Sequence, residues 1–117
     1  MDDTKIPLLT LLLDEDKVDY QMILDLLPDE ELLLAFNNNH IVELYTDDNK
    51  YYLPLFTDLN QVTKEIEYTR LDNVKLQIVL RDIFNSGKYH AISINPYTHD
   101  FILNKKLLEL VKNKNNW

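Results

Sequence analysis

Near the N-terminus, apolar residues recur at the spacing of an α-helix in two short stretches. Pro7 suits a first helical turn, which predicts a short helix over residues 8–13. Residues 17–27 form a second predicted helix, which Pro28 ends. Its apolar side consists of Met22, Ile23, Leu26 and Leu27. We therefore expect a helical segment over residues 1–30.

Three strand-like runs follow, at residues 31–36, 40–46 and 50–56. The connections between them, NNN and TDDN, are rich in residues that tolerate turn geometry. This order predicts an antiparallel β-meander. In the third run, Pro54 has no amide hydrogen to donate to a neighbouring strand, so we expect this strand to lie at an edge or to break there.

The middle of the chain predicts two helices with a short strand between them, at residues 67–71. Asp58 and Gln61 resemble a cap and its return partner, and they would open a helix with an apolar side of Leu59, Val62 and Ile66. The clearest helix covers residues 73–86. Its apolar stripe consists of Leu76, Val79, Leu80, Ile83 and Phe84. Gly87, the single glycine, falls where a left-handed C-terminal cap is expected.

The stretch HAISINPYTHDFILN, residues 90–104, predicts a strand, a corner and a second strand. Strand alternation puts His90, Ile92 and Ile94 on one face, and Ala91, Ser93 and Asn95 on the other. Asn95-Pro96 is a turn dipeptide, and residues 101–103 form the next apolar run. Asn104 can then cap a last helix, whose inward side would be Leu107, Leu110 and Val111.

These elements predict the α+β class. A mixed or antiparallel sheet, made of the meander and the strand–corner–strand unit, would pack with helices. The length of 117 residues is that of a single domain. Within it we distinguish the helical segment of residues 1–30 from an α+β region over residues 31–117.

The charge of the chain is unevenly placed. Residues 1–31 contain ten acidic residues and two lysines, while the other 86 residues contain ten acids and ten bases, so the net charge of −8 arises in the first quarter. An acidic segment could bind a basic partner surface, although we favour a solvated helix face that aids solubility. No basic stripe is present, so we expect no nucleic-acid binding.

The chain has no cysteine, which excludes disulfides and thiolate metal sites. The apolar run at residues 6–13 is far shorter than the ~20 residues of a membrane span and is followed at once by three acids. Asp2 and Asp3 stand where a signal peptide would be cationic. We expect a soluble, cytoplasmic protein that does not associate with membranes.

Two motifs stand on either side of the predicted helix at residues 73–86: YYLPLFTDL at residues 51–59 and HAISINPYTHDFILNKKLLE at residues 90–109. They resemble the "ylPvFTs" and "g.viNP...fvL...l" segments of the SseB N-terminal domain family, the enhanced serine sensitivity proteins. The resemblance runs from about residue 31 to residue 111. It implies a bacterial α+β domain without known catalytic residues, and it does not extend to the first thirty residues.

The ends of the two motifs could meet at one edge of the sheet and form a recognition site. Its candidate residues are Pro54, Phe56, Thr57, Asn95, Pro96 and Tyr97. They would offer an aromatic wall, a hydroxyl and an amide to a peptide or a small molecule. We favour the alternative that the prolines and Phe56 pack, while Thr57 and Asn95 satisfy backbone groups at the corners.

Other chemistry is less well supported by the sequence. His90 and His99 flank the corner beside Asp100, but nine residues across a turn is not a characteristic ligand spacing, so we expect no metal or other cofactor. A triad of Ser93, His90 and Asp100 fails because the first two would lie on opposite strand faces. We expect that the protein is not an enzyme.

Two functions are therefore compared. The first is a non-enzymatic interaction, adaptor or regulatory domain. It would bind a protein partner, for which a basic surface is one option, or form a homodimer. Its tyrosine-rich strands look apolar on both faces, so the N-terminal helices, a partner or a second subunit must cover one of them. The alternative is a small-ligand sensor that uses the corner of Phe56, Thr57 and Asn95. A flat apolar patch would favour the first function, and a pocket of ~300 Å³ or more the second.

Overall fold

A computed structural model describes residues 7–117, which contain four α-helices and seven strands. The helices are α1 (Leu8–Leu13), α2 (Tyr20–Leu26), α3 (Leu76–Asp82) and α4 (Lys105–Lys114). The strands are β1 (Glu31–Asn37), β2 (His40–Ile41), β3 (Leu44–Tyr45), β4 (Tyr51–Leu55), β5 (Arg70–Lys75), β6 (Tyr89–Ile94) and β7 (Phe101–Asn104). Single 3₁₀ turns occur at Leu27–Asp29, Leu59–Gln61 and Phe84–Ser86. The predicted α+β class is confirmed.

The strands form two sheets. One is antiparallel, in the order β2-β1-β5, and the other is mixed, in the order β3-β4-β6-β7, with β4 and β6 parallel. Leu33 in β1 and Phe56 just after β4 exchange two backbone hydrogen bonds, of 2.8 and 3.0 Å. These bonds join the two sheets, so the described part of the chain is built as one unit.

The predicted meander is divided between the two sheets. Its hairpins form, β1 with β2 and β3 with β4, but the middle run splits into two strands that belong to different sheets. Between them, the Glu43 carboxylate is 2.6 Å from the Lys88 ammonium and accepts a hydrogen bond from the Tyr89 hydroxyl. These contacts fix the point where the chain crosses from one sheet to the other, which we call the crossing at Glu43. The partners lie more than forty residues away along the chain, so the local sequence pattern could not predict them.

Pro54 lies in a strand that has neighbours on both sides. The prediction that this strand lies at an edge or breaks at Pro54 is therefore wrong. However, β3 pairs only with Tyr51 and Tyr52, so at Pro54 the strand is paired with β6 alone, opposite Ser93. The proline is tolerated because the pairing with β3 ends before it, so its missing amide hydrogen leaves no bond unmade on the unpaired side.

Two helix predictions are wrong in extent. After Asp58 only a 3₁₀ turn forms, which Asp58 caps by accepting the Asn60 amide at 2.9 Å, and Leu59 is exposed instead of packed. The helix predicted from residue 73 begins at Leu76, because β5 pairs with β1 as far as Lys75. Residues 73–75, which the helical pattern predicts as helix, therefore belong to β5. The strand itself lies later than the predicted residues 67–71.

The caps, in contrast, form as predicted. Gly87 adopts a left-handed φ of 82° after the turn that follows α3. The Asn104 side chain accepts the Leu107 amide at 2.9 Å and so caps α4. Within α4 the buried residues are Leu108 and Val111, whereas Leu110, predicted to face inward, is 55% exposed.

All four helices contribute to one apolar core, together with β1 and one face of the mixed sheet. Residues 8–27 alone supply five of its buried side chains, Leu9, Leu12, Leu13, Ile23 and Leu27. The mixed sheet contributes Leu53, Leu55, Ile92, Ile94, Phe101 and Leu103. The N-terminal helices are therefore part of the core and not an appendage to it. Within residues 7–117, no helix is long and apolar enough to cross a membrane.

The crossing at Glu43 leads to a prediction about pH. Burial alone would raise the pKa of Glu43, but the hydrogen bonds from Lys88 and Tyr89 outweigh it and hold the pKa below its ordinary value of 4.5. The carboxylate therefore stabilises the fold above about pH 4.5, and this contribution is lost as the pH falls through the lowered pKa. We expect Glu43→Gln to destabilise the protein by ~1 kcal/mol at pH 7.

Urea unfolding of both proteins from pH 7 to pH 3 checks this prediction. The difference in unfolding free energy between wild type and Glu43→Gln should shrink as the solution becomes acidic. Glu67→Gln, at an exposed site, serves as the control and should match the wild type throughout. A difference that stays constant down to pH 3 would contradict the proposed role of the carboxylate.

Candidate functional site

The two motifs meet at Asn95, which directly follows β6 and is fully buried. Its backbone amide donates to the Leu55 carbonyl at 2.8 Å, and its side-chain Oδ1 accepts the Thr57 amide at 2.9 Å. Its Nδ2 donates to the Thr57 hydroxyl, also at 2.9 Å. Asn95 has a φ of 54°, in the left-handed region that asparagine tolerates better than most residues. Asn95 thus forms the turn of the second motif, and its side chain holds Thr57 of the first motif in place.

The hydrogen bonds continue from Thr57 into α1. The Thr10 hydroxyl is 2.6 Å from that of Thr57 and donates to the Asp58 carboxylate at 2.8 Å. Because Thr10 has a single hydroxyl hydrogen, Thr57 must be the donor between the two threonines. Thr10 is 2% exposed and is not among the candidate residues predicted from the sequence. The signal that could have revealed it is a lone hydroxyl within the apolar run PLLTLLL.

His99 closes the network on its other side. Its Nδ1 lies 2.9 Å from Asn95 Nδ2, and its Nε2 contacts the Asp14 carboxylate just after α1. An amide nitrogen can only donate, so Nδ1 accepts and Nε2 carries the hydrogen that faces Asp14. His99 therefore acts as a bridge between the corner and the N-terminal helix. Within residues 7–117, no group of three or more His, Asp or Glu side chains is placed to hold a metal ion.

Three of the candidate residues, Phe56, Thr57 and Asn95, are closed to solvent, with exposures of 0, 7 and 0%. Among the described residues, every buried side-chain nitrogen and oxygen has a hydrogen-bond partner. A ligand could reach these three side chains only by displacing α1 or breaking the network. Their geometry is that of a structural corner whose polar groups are all hydrogen-bonded, the alternative favoured from the sequence.

Pro96 and Tyr97 lie on the other side of the corner, where they line a cavity of about 340 Å³. This sheet-face cavity opens on the face of the mixed sheet that points away from the core. Its remaining walls are Leu44, Thr46, Tyr52, Ser93, Asp100 and Ile102. Tyr97 and Ile102 are more than one third exposed, so the cavity continues into an apolar surface. Of the candidate residues, only Pro96 and Tyr97 line this accessible cavity, while Pro54 is buried in β4.

Ser93 and Asp100 form the polar part of the sheet-face cavity. The Ser93 hydroxyl donates to Asp100 Oδ1 at 2.9 Å. At the rim, burial and then the nearby charge of Glu65 raise the pKa of Tyr97. The walls of the cavity are thus mostly apolar, and within residues 7–117 the one charged side chain that lines it is the carboxylate of Asp100.

His90 does not follow the strict alternation that the sequence predicts for β6. The pairing with β4 shifts by one residue between Tyr51 and Tyr52, and His90 has no partner in this register. His90 is exposed, and its ring packs edge-on against Tyr52, with 5.5 Å between the ring centroids. A β-bulge of this kind redirects one side chain, and a two-residue period cannot foresee it.

Three further grooves lie between the helices. Two of them, about 290 and 300 Å³, separate α3 from α4, and the third, about 420 Å³, separates α2 from α4. Volume therefore does not single out the sheet-face cavity. Its distinction is that residues of both motif-bearing strands, β4 and β6, line it.

The chain was also compared with known proteins. No family model, curated protein or solved structure matches it. The resemblance to the SseB N-terminal domain family accordingly stays a prediction, which depends on the two motifs and on their contact at Asn95.

Proposed function

We propose that this chain is a non-enzymatic interaction domain that docks a segment of a partner protein on the outer face of the mixed sheet. The observation that carries the proposal is the asymmetry of this sheet. Its inner face packs in the core with α1 to α4, while its outer face presents Leu44, Tyr52 and Ile102 beside the sheet-face cavity. An adaptor or regulatory role, a cytoplasmic location and membership of the SseB-like family belong to the same proposal.

The partner that fits this face combines apolar side chains with positive charge. Apolar side chains would pack on Tyr52 and Ile102, which together with Tyr97 form the type of aromatic and aliphatic surface that is enriched at interface centres. The net charge of −8 arises in residues 1–31 and not in the strands of this face, so it would speed the encounter with a positively charged partner without fixing where that partner binds.

The alternative, a small-ligand sensor at Phe56, Thr57 and Asn95, receives less support. The sheet-face cavity exceeds the ~300 Å³ that a ligand site would need, but these three residues do not line it. The volume therefore meets the criterion for a ligand site, while the continuation of the cavity into the exposed side chains of Tyr97 and Ile102 supports a surface that binds another chain.

Replacement of Ile102 by glutamate tests the proposal. Ile102 is 38% exposed at the sheet-face cavity, and Leu110 on α4 is 55% exposed on the opposite, helical side. We expect Ile102→Glu to weaken binding of a partner by at least ~10-fold, the equivalent of 1.4 kcal/mol, because a charge would have to be buried against apolar side chains. Leu110→Glu is the matched control and should bind as the wild type does.

The measurement is affinity capture from the source cell, followed by titration of the captured partner against each variant. Circular dichroism should first confirm that both variants are folded. If Ile102→Glu binds every partner as tightly as the wild type, the proposal is wrong. Light scattering would reveal a second possibility: a dimer that only Ile102→Glu dissociates would replace the partner by a second copy of this chain.

A further inference from the structure

We propose that the sheet-face cavity binds the cationic head group of an arginine or lysine side chain from the partner segment, and that Asp100 is its counter-ion. This inference rests on the proposed function, which it extends from a face to a specific recognition chemistry. Three observations lead to it: a carboxylate held in position, two aromatic walls, and the absence of competing cations among the lining residues.

Asp100 is held in place by one hydrogen bond to its side chain and one from its backbone. Its side chain accepts from Ser93, which is 2% exposed and fixed within β6, and its backbone amide donates to the Asn95 carbonyl at 2.8 Å. Asp100 also adopts a left-handed φ of 48°. A carboxylate offers about four acceptor positions, and the Ser93 hydroxyl uses one of them. Asp100 therefore retains the capacity for a charge-assisted bond with a guanidinium or an ammonium group.

The walls of the cavity suit an organic cation. Tyr52 and Tyr97 both line it, and the face of a tyrosine ring attracts a cation within about 6 Å. Glu65 lies close enough to Tyr97 for its charge to act on the phenol, which adds a second negative charge near the rim. A planar guanidinium can stack on an aromatic ring and still bond with a carboxylate, so arginine is the better fit of the two side chains.

The lining residues of this cavity include one acid and no lysine, arginine or histidine, as far as the described chain extends. The grooves between the helices differ in this respect. Arg81 and Lys112 line one of them, Lys105 and Lys112 the next, and Lys114 the third. Compared with these three grooves, the sheet-face cavity is therefore the one whose charge complements a cation.

A titration followed by NMR tests this inference with a defined probe. N-acetyl-arginine amide and N-acetyl-citrulline amide have nearly the same shape, but only the first carries a charge. We expect the arginine compound to shift the amide signals of Ser93, Tyr97 and Asp100, and to bind at least ~10-fold more tightly than the citrulline compound. Equal binding of the two compounds, or shifts confined to the helical side, would overturn the inference.

Substitution of Asp100 provides the second arm. Asp100→Asn preserves the shape, the left-handed backbone and a bond with Ser93, and removes only the charge. It should reduce the preference for arginine at least ~10-fold, whereas Asp29→Asn, on an exposed turn, should leave the preference unchanged. An Asp100→Asn protein that still prefers arginine would show that this carboxylate is not the counter-ion.

The same variants separate this inference from the proposed function. If the captured partner is lost with Ile102→Glu but binds Asp100→Asn as tightly as the wild type, the sheet face is the interface and the cation inference is wrong. If the partner binds Ile102→Glu normally, the proposed function itself is wrong. Loss of the partner with both variants, together with a preference for arginine, supports both.

Discussion

Deletion of residues 1–30 is expected to leave a chain that does not fold. Five side chains of this segment are buried in the main core, and α1 and α2 contact the same cluster as β4 and β6. Truncation of one buried leucine costs ~2–5 kcal/mol, and a typical domain is stable by only about 5–15 kcal/mol. The loss of five such residues therefore exceeds any plausible stability of the remainder. Circular dichroism and urea unfolding of the truncated chain would show it.

A charge-neutralised protein is the control for this deletion. Glu15→Gln, Asp16→Asn and Asp29→Asn together remove three negative charges at exposed positions and leave the apolar residues in place. This variant should unfold at nearly the same urea concentration as the wild type, since exposed charges contribute little. Cooperative unfolding of the truncated chain near the wild-type midpoint would refute the prediction.

The deletion also affects how binding experiments are interpreted. The sequence suggests that an acidic N-terminal segment could bind a basic partner, and loss of binding on truncation could be mistaken for support of this idea. Because the same residues fill the core, such a loss would report unfolding. Neutralisation of the charges tests the acidic segment without this ambiguity.

Replacement of Asn95 by alanine is expected to destabilise the protein by ~3–4 kcal/mol. The substitution removes three side-chain hydrogen bonds, with the Thr57 amide, the Thr57 hydroxyl and His99. A buried amide left without a partner costs ~1–3 kcal/mol. A left-handed backbone adds ~1–2 kcal/mol for alanine. Urea unfolding at neutral pH measures the sum.

Asn38→Ala separates the two contributions. Asn38 has a φ of 52°, nearly the same as Asn95, but it is exposed in the turn between β1 and β2. It should therefore cost ~1 kcal/mol, the backbone contribution alone. If the two alanine variants are equally stable, the network around Asn95 contributes nothing beyond its backbone conformation, and the structural interpretation of the corner is wrong.

The corner at Asn95 and the sheet-face cavity are built from the same stretch of the chain. Asn95 and Thr57 bond with each other just after the ends of β6 and β4, and the loop that Asn95 begins carries Pro96, Tyr97 and Asp100 to the cavity. Residues of the motifs can thus matter for function without touching a partner. In this arrangement the Asn95-Pro96 dipeptide lies next to the cavity, although Asn95 itself is buried.

The amino-acid sequence by itself determines the α+β class, helix α1, the strand–corner–strand unit, and the caps at Gly87 and Asn104. Each of these depends on residues within a few positions of one another, where backbone preference and side-chain spacing decide the outcome. Only the tertiary structure decides the division of the meander between two sheets, the late start of α3 and the exposure of Leu59 and Leu110.

The same distinction applies to the site. The meeting of the two motifs was a reasonable expectation, but the bond of Thr10 with Thr57 spans 47 residues and that of Asp14 with His99 spans 85. No local preference encodes such contacts, because they form only after the core has brought α1 against the corner. The cavity has the same origin: its walls come from β3, β4, β6, β7 and the corner loop, and they become a single surface only when the mixed sheet is assembled.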